Sequence, residues 1–229
     1  MCPEQSPRRP WQDAIGDRLD HPERVPAEYQ HLIPDDEQRV HRILAYPVHP
    51  EARLLDVGCS DGSITCRIAR RWDVTTTIIG ADLDRSMFGC YEGFATFLAW
   101  DCRHPWPHLP TRFDRVYACE LFEHLTDRET LDALDHIGHV LAPEGDLIVT
   151  VPNRDCADHY VAGCRDRWKW PDHRSAWTKR KLSLFLDRRF QSIRYQALYE
   201  CEEPSQSIWL IARAHRLKGG LWRQESANA

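Results

Sequence analysis

The sequence predicts an α/β fold: a doubly wound, mostly parallel sheet of seven strands, the last one antiparallel, with helices on both faces. Three observations predict it. Short apolar runs alternate with helical patterns along most of the chain, and strands separated by helices pair in parallel through crossovers. Three of the runs lead directly into an acid or carry one near their end: Asp56, Asp82 and Asp101. The final two runs have no helix between them, so they meet as an antiparallel pair.

Each element has its own local reason. Residues 1–34 hold several prolines and many charges, and read as an irregular N-terminal arm. After Pro34, acids open a helix over 35–46, with Val40, Ile43 and Leu44 on its apolar face. This helix should pack beside the first strand and close over a ligand. Strand 52–57 turns on small residues into helix 63–72. Strand 75–81, helix 85–93 and strands 96–100 and 114–119 follow. Helix 127–141 carries Leu131, Leu134, Ile137, Val140 and Leu141 on one face. Gly145 precedes strand 146–151. A long loop over 154–177 ends at Thr178, which can cap a helix from Lys179 to Asp187. Strands 190–199 and 206–213 finish a domain spanning 35–215, and 216–229 read as a flexible tail.

Composition excludes several classes. A chain of 229 residues with 42% hydrophobic content can bury a substantial core. No apolar run is long enough to span a bilayer, so no membrane partner is expected. The polar start Met1-Cys2-Pro3-Glu4 lacks the apolar stretch of a signal peptide. Nine cysteines, an odd number without a C-x-x-C pair, read as free thiols, and Cys59, Cys66, Cys102 and Cys119 fall on elements that should be buried. Together these point to the cytoplasm. A net charge of −5 argues against a protein that coats duplex nucleic acid. Between Arg165 and Arg194, however, ten Lys or Arg face three Asp. That region is either a solvated basic helix or a local field for an anionic substrate.

The most informative stretch is Leu54-Leu55-Asp56-Val57-Gly58-Cys59-Ser60-Asp61-Gly62-Ser63-Ile64-Thr65. A strand, a glycine turn and a helix start succeed one another, and a turn without Cβ atoms lets a ligand approach the backbone. The spacing differs from G-x-G-x-x-G, because Ser60 stands between Gly58 and Gly62 and no third glycine follows. That disfavours a nicotinamide-dependent oxidoreductase. Asp82 lies 24 positions after Gly58, near the distance at which an acid after the second strand reaches a ribose diol. The glycine turn with Asp56, then Asp82, then Asp101-Cys102, then Phe113-Asp114, in this order, resembles the class I S-adenosylmethionine-dependent methyltransferases. The resemblance covers about residues 50–155 and implies a Rossmann-like sheet. It implies that Asp56, Gly58, Cys59, Ser60 and Gly62 serve the methionine portion of the donor. It further implies that Asp82 and Leu83 serve the ribose, Asp101 and Cys102 the adenine, and Glu120 the edge of the donor site.

Glu120-Leu121-Phe122-Glu123-His124 follows the fourth strand. In a helical start, Glu120, Glu123 and His124 share one face. Such a set can bind a divalent cation, with Mg²⁺ or Mn²⁺ favoured by the oxygen ligands. It can also act as a metal-free acid/base pair, or be structural. E-x-x-E-H resembles two metal-dependent groups, the ubiquinone-pathway O-methyltransferases and the small-RNA 3′-terminal 2′-O-methyltransferases. The second group also has Pro-Asn after the fifth strand, here Pro152-Asn153, and Asp-His before Trp-Thr, here Asp172-His173 before Trp177-Thr178. That likeness implies His173 as a further metal ligand, although Ser175-Ala176 departs from the usual residues before the Trp. Without metal, His124 or His173 would be the general base, with Glu123 beside them. His159 also lies in the loop, and Trp168, Trp170 and Trp177 are its candidates for stacking on a substrate or for packing the loop down. The expected activity is O-methylation of a hydroxyl on a small molecule or saccharide. Methylation of an RNA 3′-terminal ribose is the alternative, and a non-catalytic cofactor-binding partner subunit is a third.

Overall fold

The computed structural model describes residues 35–74, 77–83, 96–107, 112–155, 172–196 and 209–218. The elements are α1 (Asp35–Leu44), β1 (Leu54–Val57), α2 (Ser63–Trp72), β2 (Ile78–Asp82), β3 (Thr96–Ala99), β4 (Phe113–Cys119), a 3₁₀ turn (Phe122–His124), α3 (Asp127–Val140), β5 (Leu141–Pro152), α4 (Lys179–Leu186), β6 (Phe190–Gln196) and β7 (Trp209–Leu217). The seven strands form one sheet in the order β3-β2-β1-β4-β5-β7-β6. All pairs are parallel except those of β7, which runs antiparallel to β5 and β6. This is the Rossmann-like arrangement expected, with its order reversing between β1 and β4.

The central strands are buried on both faces, and their alternation separates two cores. Leu54, Tyr117, Cys119 and Ile148 point to one side, where Ile43 and Leu44 of α1 and Ile68 and Ala69 of α2 cover them. Leu55, Val57, Val116, Ala118, Leu147 and Val149 point to the other, against Ala133, Leu134 and Ile137 of α3 and Leu182 and Leu186 of α4. A period of two along each strand thus supplies both layers. At the end of the sheet away from the acids, Asp146 accepts from Arg115 and Arg213, each at 2.8 Å, and lies 2.8 Å from His215 Nδ1. Together these groups neutralise a buried carboxylate whose pKa falls below the usual range despite its burial.

Two boundaries differ most from expectation. β5 begins at Leu141, directly after α3, and its register with β4 shifts between Phe113 and Arg115. A Cβ on Gly145 would lie 2.8 Å from Leu141 Cδ1 and 3.0 Å from the Asp114 carbonyl oxygen, so the irregular start needs glycine there. β7 continues to Leu217, past the expected end of the domain. The arm 1–34, helix 85–93 and most of the 154–177 loop, including His159, Trp168 and Trp170, lie outside the described residues.

Candidate active site

The strand ends β1, β2, β3 and β4 meet at one edge of the sheet. Gly58 and Cys59 donate their amides to the Ala81 carbonyl at 2.8 and 3.2 Å, which ties the turn after β1 to the end of β2. Gly58 has φ 72° and Gly62 φ 80°, while Ser60 accepts a left-handed φ of 49°. Gly58 is doubly constrained, because a Cβ there would lie 2.9 Å from Leu121 Cδ1. Gly62 caps α2 without a side-chain hydrogen bond, and no acid occupies the first turn of α2. The first of its N-terminal amides, that of Ser63, donates to Asp61 Oδ1 at 2.9 Å, and the amides after it face the anion-favouring end of the helix dipole.

Asp56 lies beneath this turn. It accepts the Thr65 hydroxyl, and its complete burial pushes the carboxyl up to about 7. Asp82 braces the turn from the next strand: Oδ2 accepts the Ser60 amide at 2.8 Å and Oδ1 the Leu83 amide at 2.6 Å. Each oxygen retains a lone pair for a hydroxyl. Leu83 is 64% exposed, an apolar side chain left open at the rim. Asp101 is forked by Arg103 through Nε at 2.9 Å and Nη2 at 2.7 Å, which holds its carboxyl below the ordinary range. Cys102 is buried, and burial pushes its thiol up to about 12, so it is inert packing.

These residues enclose a cavity of about 590 Å³. Asp56, Gly58, Cys59, Ser60, Asp82, Leu83, Asp101, Cys102 and Glu120 all line it, and Gly62 does not. At the β4 end it is closed by Arg39, Glu120, Leu121 and His124. Glu120 has a left-handed φ of 55°. The conformation is held from both sides: its amide donates to the Thr150 carbonyl at 2.9 Å, and its Oε1 takes the Thr150 hydroxyl at 2.7 Å and lies 3.2 Å from Arg39 Nη1.

Glu123 sits on the 3₁₀ turn and is 1% exposed. Neither of its carboxyl oxygens receives a hydrogen bond among the described residues. Burial, followed by the neighbouring Glu120 carboxylate, raises its pKa well above the usual range. Its backbone carbonyl accepts the amides of Arg174 at 2.7 Å and Ser175 at 3.0 Å. That bond brings His173 to the site. The His124 and His173 rings meet edge to face at 4.9 Å, and ligand atoms of Glu123, His124 and His173 lie within 4.8 Å of one another. His124 Nδ1 lies 3.3 Å from Asp172 Oδ2. A carboxylate can only accept, so a hydrogen bond at this contact requires the ring proton on Nδ1, the tautomer in which Nε2 keeps its lone pair.

A family model described as a methyltransferase domain matches residues 26–216. The chain belongs to that family. It is an S-adenosylmethionine-dependent methyltransferase. Among solved structures it is similar to the methyltransferase domain of bacterial CtHen1, at 16% identity and TM-score 0.63, over 80% of this chain and 100% of that one. It is similar to the small RNA methyltransferase HEN1, at 19% identity and TM-score 0.67, over 82% of this chain and 26% of that one. It is also similar to the N-methyltransferase NodS from Bradyrhizobium japonicum in complex with S-adenosyl-L-homocysteine, at 17% identity and TM-score 0.56, over 86% and 96%. At these identities the likeness is one of fold.

The methyltransferase thus gathers nearly all its candidate donor residues around one cavity. Of the four metal candidates it groups Glu123, His124 and His173, with Glu120 beside Glu123 but held by Arg39 and Thr150. Of the two roles open to Trp177, the structure selects packing: it is fully buried, packed on Phe122 and Phe185, and bridged to Asn153. Several members of the basic region are also neutralised internally, Arg174 by Glu129, Lys181 by Asp127 and Arg189 by Asp135. Arg39 and Thr150 went unread in the sequence. Thr150 had a signal, a lone hydroxyl in the apolar run Ile148-Val149-Thr150-Val151. Arg39 had none, being one of many charges on α1.

Proposed function

We propose that this methyltransferase transfers the donor's methyl group to a hydroxyl, assisted by a divalent cation held by Glu123, His124 and His173. The observation that carries this reading is Glu123: a buried carboxyl group without a hydrogen-bond donor among the described residues, beside two imidazoles. A buried charge without a partner is costly, and a cation supplies the missing partner. One carboxylate oxygen and two imidazoles fit Mn²⁺ well, and Mg²⁺ would draw further oxygens from water or substrate. Such a cation lowers the pKa of a hydroxyl bound to it.

The chain's own residues carry the rest. The sulfonium methyl needs no activation, so the task is to align donor and acceptor. The Gly58–Gly62 turn and the α2 amides hold the methionine portion, Asp82 the ribose hydroxyls, and Asp101 the adenine amino group. Asp172 keeps the proton of His124 on Nδ1, leaving Nε2 to bind the cation or take the acceptor's proton. Glu120 and Arg39 stand between donor cavity and cluster.

A small-molecule or saccharide hydroxyl is the favoured acceptor, in keeping with the net charge of −5. A second reading, the 3′-terminal ribose of RNA, is favoured by one observation, the approach of His173 to Glu123-His124, together with likeness to the HEN1 proteins.

The test is methyl transfer from S-adenosylmethionine to a panel of saccharides, phenols and a short RNA with a free 3′ diol, with Mn²⁺ or with excess EDTA. Turnover that stops in EDTA and returns with Mn²⁺ is expected. Unchanged turnover in EDTA overturns the metal. Binding of RNA that weakens steeply with salt would select the ribose over a neutral sugar.

A further inference from the structure

Glu129 is the third residue of α3 and closes a capping box with Thr126. Its Oε2 accepts the Thr126 amide at 2.8 Å and the Thr126 hydroxyl at 2.7 Å. A helix start needs nothing more. Yet two arginines from opposite sides of the site also converge on this carboxylate. Arg103 Nη1 donates to Oε1 at 3.3 Å, while the rest of its fork grips Asp101. Arg174 Nη1 lies 3.0 Å from Oε1 and 2.7 Å from Oε2, while its own amide is bonded to the Glu123 carbonyl. The charges alternate without a break: Asp101, Arg103, Glu129, Arg174. One end lines the donor cavity and the other is the residue next to His173.

We propose that Glu129 is a positioning residue that couples donor binding to the seating of the His173 segment, an inference that rests on the donor and acceptor sides assigned under the proposed function. Such a network of charges can add to stability, and this one also joins a segment that lines the donor cavity to the segment that carries His173. A shared carboxylate makes the two guanidinium groups interdependent. When Asp101 is held by a bound donor, Arg103 is fixed, and Glu129 presents both oxygens to Arg174 in one orientation. Thr126 pulls the Glu129 carboxyl well down, to about 2, so the joint stays ionised at any working pH. By linkage, the seated segment must strengthen donor binding as much as the donor strengthens seating.

Glu129→Gln separates the two roles, because glutamine also completes a capping box but lacks the charge that holds both arginines. Three measurements decide. Calorimetry with S-adenosylhomocysteine compares wild type, Glu129→Gln, Arg174→Met and the double variant. Hydrogen exchange follows the Arg174 and Ser175 amides with and without that ligand. Thermal unfolding reports on folding. The coupling predicts that the ligand slows exchange at those amides in the wild type and leaves it unchanged in Glu129→Gln, with both proteins still folded at the temperature of the measurement. It also predicts that Arg174→Met, although outside the donor cavity, weakens ligand binding about two- to thirtyfold, and has no further effect once Glu129 is Gln. Wild-type protection surviving in Glu129→Gln, or unchanged affinity in Arg174→Met, overturns it. Failure of the wild type to bind S-adenosylhomocysteine would overturn the donor assignment itself, a result that calorimetry distinguishes from loss of coupling alone.

Discussion

The backbone carbonyl of Glu123 accepts the amide of Arg174 at 2.7 Å, which seats the His173 segment without using the Glu123 side chain. The carboxylate is thus left to the site, where it receives no hydrogen bond among the described residues. Glu123→Met should therefore stabilise the metal-free protein, by about 1–3 kcal/mol, since it removes a buried unsatisfied polar group and keeps the volume. The same variant should lose Mn²⁺ binding and methyl transfer. Calorimetric unfolding without metal, paired with Mn²⁺ titration, checks both. A variant less stable than wild type would show that Glu123 is structural.

Asp82 uses one lone pair on each oxygen to brace Ser60 and Leu83. Asp82→Ala should weaken S-adenosylhomocysteine binding about ten- to a hundredfold, the value of charge-assisted hydrogen bonds to two hydroxyls. The second effect is loosening of the Gly58–Gly62 turn. Isothermal titration measures the first, and exchange of the Ser60 amide the second.

Burial pushes Asp56 up to about 7 in the folded protein, against an ordinary value of 3.8. The native state therefore binds this proton more tightly than the unfolded chain does. Stability from this group is full below about pH 4 and falls as pH rises towards 7, by up to about 4 kcal/mol. Glu123 is shifted in the same direction. Glu129 has the opposite sign: lowered to about 2, it contributes above the usual carboxylate range and is lost only as pH falls through that range. Unfolding temperature of the ligand-free protein should decline from pH 5 to 7.5, and Asp56→Asn should flatten that slope.

Trp177 is fully buried between Phe122 and Phe185, with the Lys181 ammonium 4.4 Å from its ring centre. Trp177→Ala should cost about 3–5 kcal/mol, and Trp177→Phe markedly less. Because Arg154 donates its amide to the Trp177 carbonyl at 2.8 Å, a backbone bond, the bridge to the end of β5 should persist in the Phe variant. Chemical denaturation of the two variants measures the difference. An alanine variant as stable as wild type would contradict the packing.

Much of this protein was legible in local sequence. The strands announce themselves as short apolar runs, because the central ones feed two cores, and the helices through a period of 3.6, because each feeds one. The Gly58–Gly62 turn with Asp82 and Asp101 carries the resemblance that implied the donor, since each of these residues stands at or just past the end of a strand. Thr178 reads as a cap and is one, accepting the Lys181 amide at 3.1 Å. Gly145 was visible as a break, but the bulged start of β5 around it was not, because the bulge answers to β4 across the sheet.

Other relationships had no local trace. His173 reaches Glu123 and His124 only because Trp177 is drawn into the core and the intervening backbone then bonds to the Glu123 carbonyl. Trp177 itself could be read as core or as substrate platform, since an aromatic beside a loop carries no mark of which way it faces. Arg39 meets Glu120 across the sheet edge, and Glu129 joins Arg103 to Arg174. The sequence by itself determined the fold class, because apolar runs and helical periods are short-range patterns, and it implied the methyl donor through the resemblance of its glycine turn and following acids to a methyltransferase family. The tertiary structure decided which carboxylate is left bare and which histidines face it, because burial and convergence are properties of packing between distant segments.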